Sequence, residues 1–311
     1  MHRTIKIGTR GSQLALYQAN RTKQQLENAF PQFRFALEII HTKGDKILDV
    51  ALSKIGDKGL FTKEIEQALL DQRIDLAVHS MKDLPTLFPK GLKLTAVLER
   101  GEPREALVST GKRKLAELTE DDIIATSSVR RRAQLLRINP RFRLKDIRGN
   151  VNTRIDKWKS GYCTAMIMAA TGLQRLGLEE NIAELLDPGQ ILPPPAQGII
   201  AIESRENDPF TDELLQQINH EESWIRGRAE YTFLETIQGG CQVPIACYSE
   251  INRNHMTITG MVLSPDGKQH LTDTVSCQAS EPAAVEAAKK LALSFLDRGA
   301  LQIISTIEPV S

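Results

Sequence analysis

An α/β fold of two consecutive lobes, followed by a small α+β domain with a three-stranded antiparallel sheet, is predicted by three features of this sequence. Short β-branched runs alternate with amphipathic helical runs through the first two-thirds of the chain. The alternation stops at a charged connector, 99–105, and restarts. After about residue 221 the pattern changes to strands joined by short polar turns. Alternation of the first kind builds largely parallel sheets covered by helices, and closely spaced strands build an antiparallel meander.

The elements follow in order. Thr4–Thr9 reads as a strand, and 12–28 as a helix with Leu14, Leu16, Ala19 and Leu26 available for burial. A second strand at 35–41 is followed by a poor candidate for any element, 43–59, where Gly44, Gly56 and Gly59 are mixed with Lys43, Lys46, Lys54 and Lys58. Such a loop is either a lid over an anionic ligand or a plain surface loop. A helix at 61–71 leads to buried strands at 76–79 and 94–98. In the second lobe 106–109, 123–126, 143–147 and 165–169 read as strands, with helices at 128–139, 152–160 and 171–176. The run 191–198 holds three consecutive prolines, which remove backbone donors, so it is a crossover back to the first lobe. There 199–204 adds a strand and 209–217 a helix. A helical run, 221–238, precedes strands at 243–251, 256–263 and 270–277 and an amphipathic helix at 282–297. The domains are therefore 1–98 with 199–217, then 104–192, then 221–311, with ligands expected at the carboxyl ends of strands between the lobes.

Lys and Arg total 40 against 39 Asp and Glu, yet eight arginines (130, 131, 132, 137, 141, 143, 148 and 154) and Lys145 fall between Thr126 and Arg154 against one carboxylate, Asp146. Positive charge this local suits a ligand carrying several carboxylates or phosphates; a solvated basic helix face is the other reading. Thr126, Ser127 and Ser128 stand in front of the first arginines, where hydroxyls and free N–H groups at a helix start favour an anion. Near-zero net charge and 5% aromatics argue against nucleic acid. The longest weakly polar stretch, 162–173, is too short to cross a membrane. The first residues lack the apolar core of a secretory signal. Four cysteines (163, 241, 247 and 277) form no Cys-x-x-Cys pair and have no histidine at ligand spacing, so neither a metal site nor a disulfide framework is expected, and the cytosol fits best.

Three segments carry chemistry. In 78–85 (VHSMKDLP) a buried strand ends in Ser80, Lys82 and Asp83. Ser80 and Lys82 suit a ligand carboxylate, and Asp83 is either a proton-handling carboxylate or a helix cap paired with Lys82; His79 reads as a packing residue. In 239–246 (GGCQVPIA) two glycines leave space beside Cys241, which is a nucleophile, a covalent anchor or a buried structural thiol. In 148–154 (RGNVNTR) a turn at Gly149 and Asn150 precedes a helix opened by Asn152 or Thr153, flanked by Arg148 and Arg154.

Together with 8–15 (GTRGSQLA), 58–61 (KGLF), 126–131 (TSSVRR), 172–177 (GLQRLG), Gln197-Gly198 and 239–245, these segments resemble the hydroxymethylbilane synthase (porphobilinogen deaminase) family, in family order along essentially the whole chain. The resemblance implies lobes like type II periplasmic binding proteins, and a dipyrromethane cofactor joined by a thioether to Cys241. It implies stepwise head-to-tail condensation of four porphobilinogen molecules with release of ammonia, then hydrolysis to free hydroxymethylbilane, by a cytoplasmic monomer without nucleic-acid or membrane partners. It makes Asp83 the catalytic aspartate. It makes Arg10, Ser12, Ser80, Lys82, Thr126, Ser127, Ser128, Arg130, Arg131, Arg148, Arg154 and Arg175 the cofactor- and substrate-binding set. Phe61 and Gln197 match cleft positions, and Lys54 and Lys58 the mobile loop. On a helix from Ser128, burial of Val129, Ala133 and Leu136 leaves Arg132, Arg137, Arg141 and Arg143 facing solvent. Ala125, Ala196 and Ala246 stand where the family commonly has glycine, which puts local turn geometry in question. Two other classes compete: a two-lobed protein that captures a polyanion without chemistry, and a nucleic-acid binder.

Overall fold

The structure, a computed structural model, describes residues 4–46, 62–238 and 243–305. The chain divides into two compact units, Met1–Gly101 with Gly198–Trp224 and Glu102–Gln197 with Ile225–Ser311.

In the first unit β1 (Thr4–Thr9), β2 (Arg34–Ile39), β3 (Leu76–Ser80), β4 (Leu92–Val97) and β10 (Ile200–Arg205) form one sheet in the order β2-β1-β3-β10-β4. β1 is parallel to β2 and β3, whereas β10 is antiparallel to both β3 and β4. The chain re-enters the sheet where β3 ends: Met81 N–H donates to Ile199 O at 3.0 Å, so β10 must run back along β3. Side chains alternate across the pleat. Ile5, Ile7, Val78, Ile200 and Ile202 face Ala19, Leu26, Leu214 and Leu215, while Ala77 and Leu92 meet Ile65, Ala68 and Leu69. Each fully buried aliphatic side chain contributes about 1.5–3 kcal/mol. Helix Gln13–Ala29 starts at Ser12, whose hydroxyl accepts from Ala15 N–H at 3.3 Å.

The second unit repeats the sheet plan. β5 (Glu105–Ser109), β6 (Ile123–Ala125), β7 (Arg143–Lys145), β8 (Ala165–Ala169) and β9 (Ile182–Leu186) lie in the order β7-β6-β8-β5-β9. β6 is parallel to β7 and β8, and β5 is antiparallel to β8 and β9. β9 is an addition to the sequence reading. Helix Val151–Lys159 begins at Asn150, whose Oδ1 accepts from Thr153 N–H at 3.0 Å, rather than at Asn152 or Thr153. This unit also holds the predicted antiparallel meander, β11 (Ile245–Asn252), β12 (His255–Leu263) and β13 (His270–Gln278). Phe233 and Phe295 pack edge to face at 5.4 Å over its inner side, with Met256, Ile258 and Ala292.

Helix Val129–Ile138 departs from the expected stripe. Its buried residues are Arg130, Arg131, Ala133, Gln134 and Leu135, and Val129 and Leu136 are only half-buried. Two sides of the helix are covered. Leu135 packs with Leu107, Ile124 and Ile167, and Ala133 packs with Leu192, Ala246 and Met261, so one stripe cannot describe it. Arg141 and Arg143 face solvent as expected, but Arg132 and Arg137 are half-buried.

Of the three alanines in glycine positions, Ala125 ends β6 and Ala246 lies inside β11, both fully buried in extended backbone. Ala196 differs, with φ 59. Glu230 holds this turn by accepting from Ala196 N–H at 2.6 Å. Gly198, two residues on, has φ +92, and a Cβ there would lie 2.6 Å from Gly101 O. Glycine is required at 198, and its absence at 196 leaves local strain.

Candidate active site

The first unit brings four of the predicted residues into one pocket. Arg10, Ser12, Ser80 and Asp83 line it with Leu14, Ala15, Gln18, Thr62, Val78 and His79. Each is placed by the end of a strand. Arg10 follows β1, and Ser12 caps the helix after it. Ser80 closes β3, and a 3-10 turn, Met81–Asp83, carries Lys82 and leaves Asp83 exposed at the mouth. Gln18 Nε2 donates to Ser80 Oγ at 2.7 Å, which fixes the hydroxyl against the helix. His79 is buried as expected, yet its Nε2 lies 3.2 Å from Glu203 Oε2, a partner 124 positions away that no local pattern signals.

The second unit holds the arginine set. Thr126 N–H donates to Lys145 O at 2.8 Å, and its hydroxyl accepts from Ser128 N–H at 3.3 Å. Ser127 Oγ both donates to Ile147 O at 2.8 Å and accepts from Ile147 N–H at 3.0 Å. Ser128 is the N-cap and accepts from Arg131 N–H at 3.4 Å. The triplet therefore ties the end of β6 to the loop after β7 and to the helix start. Arg148 and Arg154 are half-buried near the start of the next helix, with Arg154 Nε donating to Gly149 O at 2.8 Å. Arg175 caps the C-terminus of helix Ala170–Gln174. Gln197 is fully buried and donates from Nε2 to Pro103 O at 2.8 Å, so it fastens the crossover to the segment before β5.

Arg130 and Arg131 are buried around a single carboxylate, Glu105, which sequence reading left unremarked. Arg130 Nη2 donates to Glu105 Oε1, and Arg131 Nη2 donates to Oε2 at 2.7 Å. Their other ends donate to Leu192 O at 2.7 Å and Ile167 O at 3.2 Å. Burial pushes the Arg130 guanidinium down to about 10, opposed by Glu105 and reinforced by Arg131. It stays charged at neutral pH, so two guanidiniums over one carboxylate leave a net positive charge in the fold. Arg131 Nε is buried with no hydrogen-bond partner among the described residues. Positive charge, an orphaned donor and capping hydroxyls fit a group bearing several carboxylates. Cys241, Phe61, Lys54 and Lys58 lie outside the described residues. Burial raises the Cys163 thiol to about 11, which agrees with its reading as an inert core residue.

Comparison with known families decides what this arrangement is. Residues 5–213 match the model of the porphobilinogen deaminase dipyromethane cofactor binding domain, and residues 224–297 match the porphobilinogen deaminase C-terminal domain. The chain belongs to the porphobilinogen deaminase family. Porphobilinogen deaminase of Syntrophomonas wolfei is 48% identical over 97% of this chain and 98% of its own. The Bacillus subtilis and Nostoc enzymes of the same name are 45% and 46% identical, over 99% and 98% of this chain and 98% and 95% of theirs. A probable amino-acid ABC transporter extracellular-binding protein from Bacillus subtilis aligns with 70% of this chain and 92% of its own, at a TM-score of 0.42 and 15% identity. Each unit contains a five-stranded mixed sheet, and the second unit adds a three-stranded antiparallel sheet. No helix among the described residues is long and apolar enough to cross a membrane.

Proposed function

We propose that the pocket of the first unit receives the reacting pyrroles and that Asp83 is the catalytic carboxylate of the porphobilinogen deaminase reaction. The enzyme condenses four porphobilinogen molecules head to tail, releasing ammonia at each step, and hydrolysis then frees hydroxymethylbilane. The observation that carries the assignment of Asp83 is convergence: two segments about 70 positions apart, around Arg10 and Asp83, supply a guanidinium, two hydroxyls and a carboxylate to one pocket.

The chemistry follows from those groups. Asp83 sits at an exposed turn, where its carboxylate can accept pyrrole N–H groups and balance the cation left when ammonia departs. The same carboxylate can take the proton that the attacking α-carbon gives up. Arg10 offers forked donors to a substrate acetate or propionate, and Ser12 and Ser80 add hydroxyls. We read Arg148 as the second guanidinium that meets incoming substrate. When bound, dipyrromethane supplies the nucleophilic pyrrole and a permanent polycarboxylate, held in our reading by a thioether to Cys241. In our reading Lys82, Thr126, Ser127, Ser128, Arg130, Arg131, Arg154 and Arg175 balance its charge, Phe61 and Gln197 match the family's cleft positions, and Lys54 and Lys58 match its mobile loop. We read the chain as a cytoplasmic monomer of three domains, 1–98 with 199–217, 104–192 and 221–311, without nucleic-acid or membrane partners. Ammonia release from porphobilinogen tests the assignment of Asp83. Asp83→Asn is expected to lower kcat by about 10²–10⁴ with little change in KM; unchanged turnover removes Asp83 from the mechanism.

A further inference from the structure

Behind the pocket lies a group of buried acceptors that this mechanism does not use. Glu66 projects from helix Lys63–Leu70, His79 from β3 and Glu203 from β10. In the β3–β10 register Ala201 lies opposite His79 and Glu203 opposite Ala77. His79 and Glu203 therefore share the face of the sheet that the helix covers with Ile65, Ala68 and Leu69. Glu203 is wholly buried, and Glu66 and His79 are exposed by only 6% and 7%, too little for bulk water to solvate them.

Four atoms here, Glu66 Oε1, His79 Nε2 and both carboxylate oxygens of Glu203, have no hydrogen-bond partner among the described residues. His79 Nε2 approaches Glu203 Oε2 to 3.2 Å without the alignment of a hydrogen bond. No lysine or arginine among the described residues pairs with either carboxyl; Lys63 acts on Glu66 only as a weak, more distant charge. Unmatched buried polar groups are costly, so a cluster this concentrated calls for an occupant. Three of the four atoms are carboxyl oxygens, which makes a small cation with N–H donors the matching ligand. Access is on the pocket side, because His79 and Thr62 line the same pocket as Asp83. No three His, Cys, Asp or Glu side chains among the described residues are placed to hold a metal ion.

The established reaction makes such a cation at every step. The C–N bond of the protonated aminomethyl group breaks with its electron pair going to nitrogen, and neutral ammonia leaves. When the new C–C bond forms, the attacking pyrrole carbon loses a proton, and ammonia takes up one proton to become ammonium. We propose that Glu66, His79 and Glu203 form a binding site for ammonium, which receives the amino group of each porphobilinogen as it departs. Burial raises the Glu66 carboxyl from its ordinary value, opposed by the Thr62 hydroxyl and helped by Glu203. The proposal rests on the reading of the Asp83 pocket as the reacting site.

The test is thermal unfolding of the intact holoenzyme in ammonium chloride, potassium chloride and sodium chloride at equal ionic strength. The expected result is a saturable rise in Tm specific to ammonium, whose half-saturation rises at least tenfold in both Glu66→Gln and Glu203→Gln. Ammonium should also slow wild-type turnover with the same half-saturation. Equal Tm in the three salts, an equal effect of potassium, or an unaltered ammonium response in the folded Glu66→Gln variant overturns the proposal. Asp83→Asn separates the two readings. Loss of turnover with the ammonium response kept supports both, whereas full activity in Asp83→Asn sinks the pocket assignment and leaves ammonium binding to be judged from Tm.

Discussion

Replacing Glu105 by Gln should be among the most destabilising single changes in the second unit. The carboxylate is fully buried and is the shared acceptor of Arg130 and Arg131, each itself more than nine-tenths buried. Glutamine keeps the volume and one acceptor oxygen, but it removes the negative charge that the two guanidiniums share. Breaking a buried pair from one side typically costs about 3–5 kcal/mol, because the remaining charge is left uncompensated. Here two like charges remain, and burial already lowers Arg130 to about 10. The further damage should spread along the hydrogen bonds, since Arg130 and Gln134 both donate to Leu192 O and fix the start of the crossover. For a body of this size that cost corresponds to a fall in Tm of roughly 6–20 °C. Urea unfolding of the intact protein, followed by far-UV circular dichroism, should show a lower midpoint with the m-value unchanged. Glu105→Asp should recover part of the loss if one of the two pairs re-forms. A midpoint within error of wild type for Glu105→Gln would refute the claim that this carboxylate holds the arginines.

Two further predictions concern stability. Arg113 donates through both Nη atoms to Asp122 and, as the largest cause, lowers its carboxyl from 3.8 to about 2. The stabilisation is present above about pH 4 and is lost as pH falls toward 2, because the unfolded chain binds the proton first. With the Arg113 side chain 37% exposed, Asp122→Asn should cost about 1–2 kcal/mol at pH 7, and the difference should close in acid melts near pH 2. In the crossover, Ala196→Gly should raise stability by up to about 1 kcal/mol by relieving φ 59, whereas Gly198→Ala should lower it by about 2–4 kcal/mol against the Gly101 carbonyl. Calorimetry of the two variants checks both signs.

Period and punctuation made most elements legible. Isoleucines alternating in β1, Ser12 ahead of its helix, the proline run and the polar turns between β11, β12 and β13 each have a local cause. What escaped is tertiary. β9 carries Glu184 among its five residues and lies at a sheet edge, so it lacks the continuous apolar run of a central strand. The reversed direction of β10 and β5 depends on where the chain re-enters each sheet. That Arg130 and Arg131 are buried around Glu105 was not legible, because Glu105 lies 25 positions before Arg130, on another strand. The start of helix Val151–Lys159 was legible but misplaced: Asn150 three residues before Thr153 is a capping spacing. For the pocket, the 8–15 and 78–85 segments identified Arg10, Ser12, Ser80 and Asp83, while Glu66 and Glu203 had no local signal at all.

The central claim is that one thiol, Cys241, carries the acidic chain that the arginines neutralise. Intact-mass measurement of protein produced in cells that make porphobilinogen tests it most directly. The account predicts a mass above that of the polypeptide by two linked pyrrole units, and no such excess in Cys241→Ser. A fully active protein with the unmodified mass would contradict it.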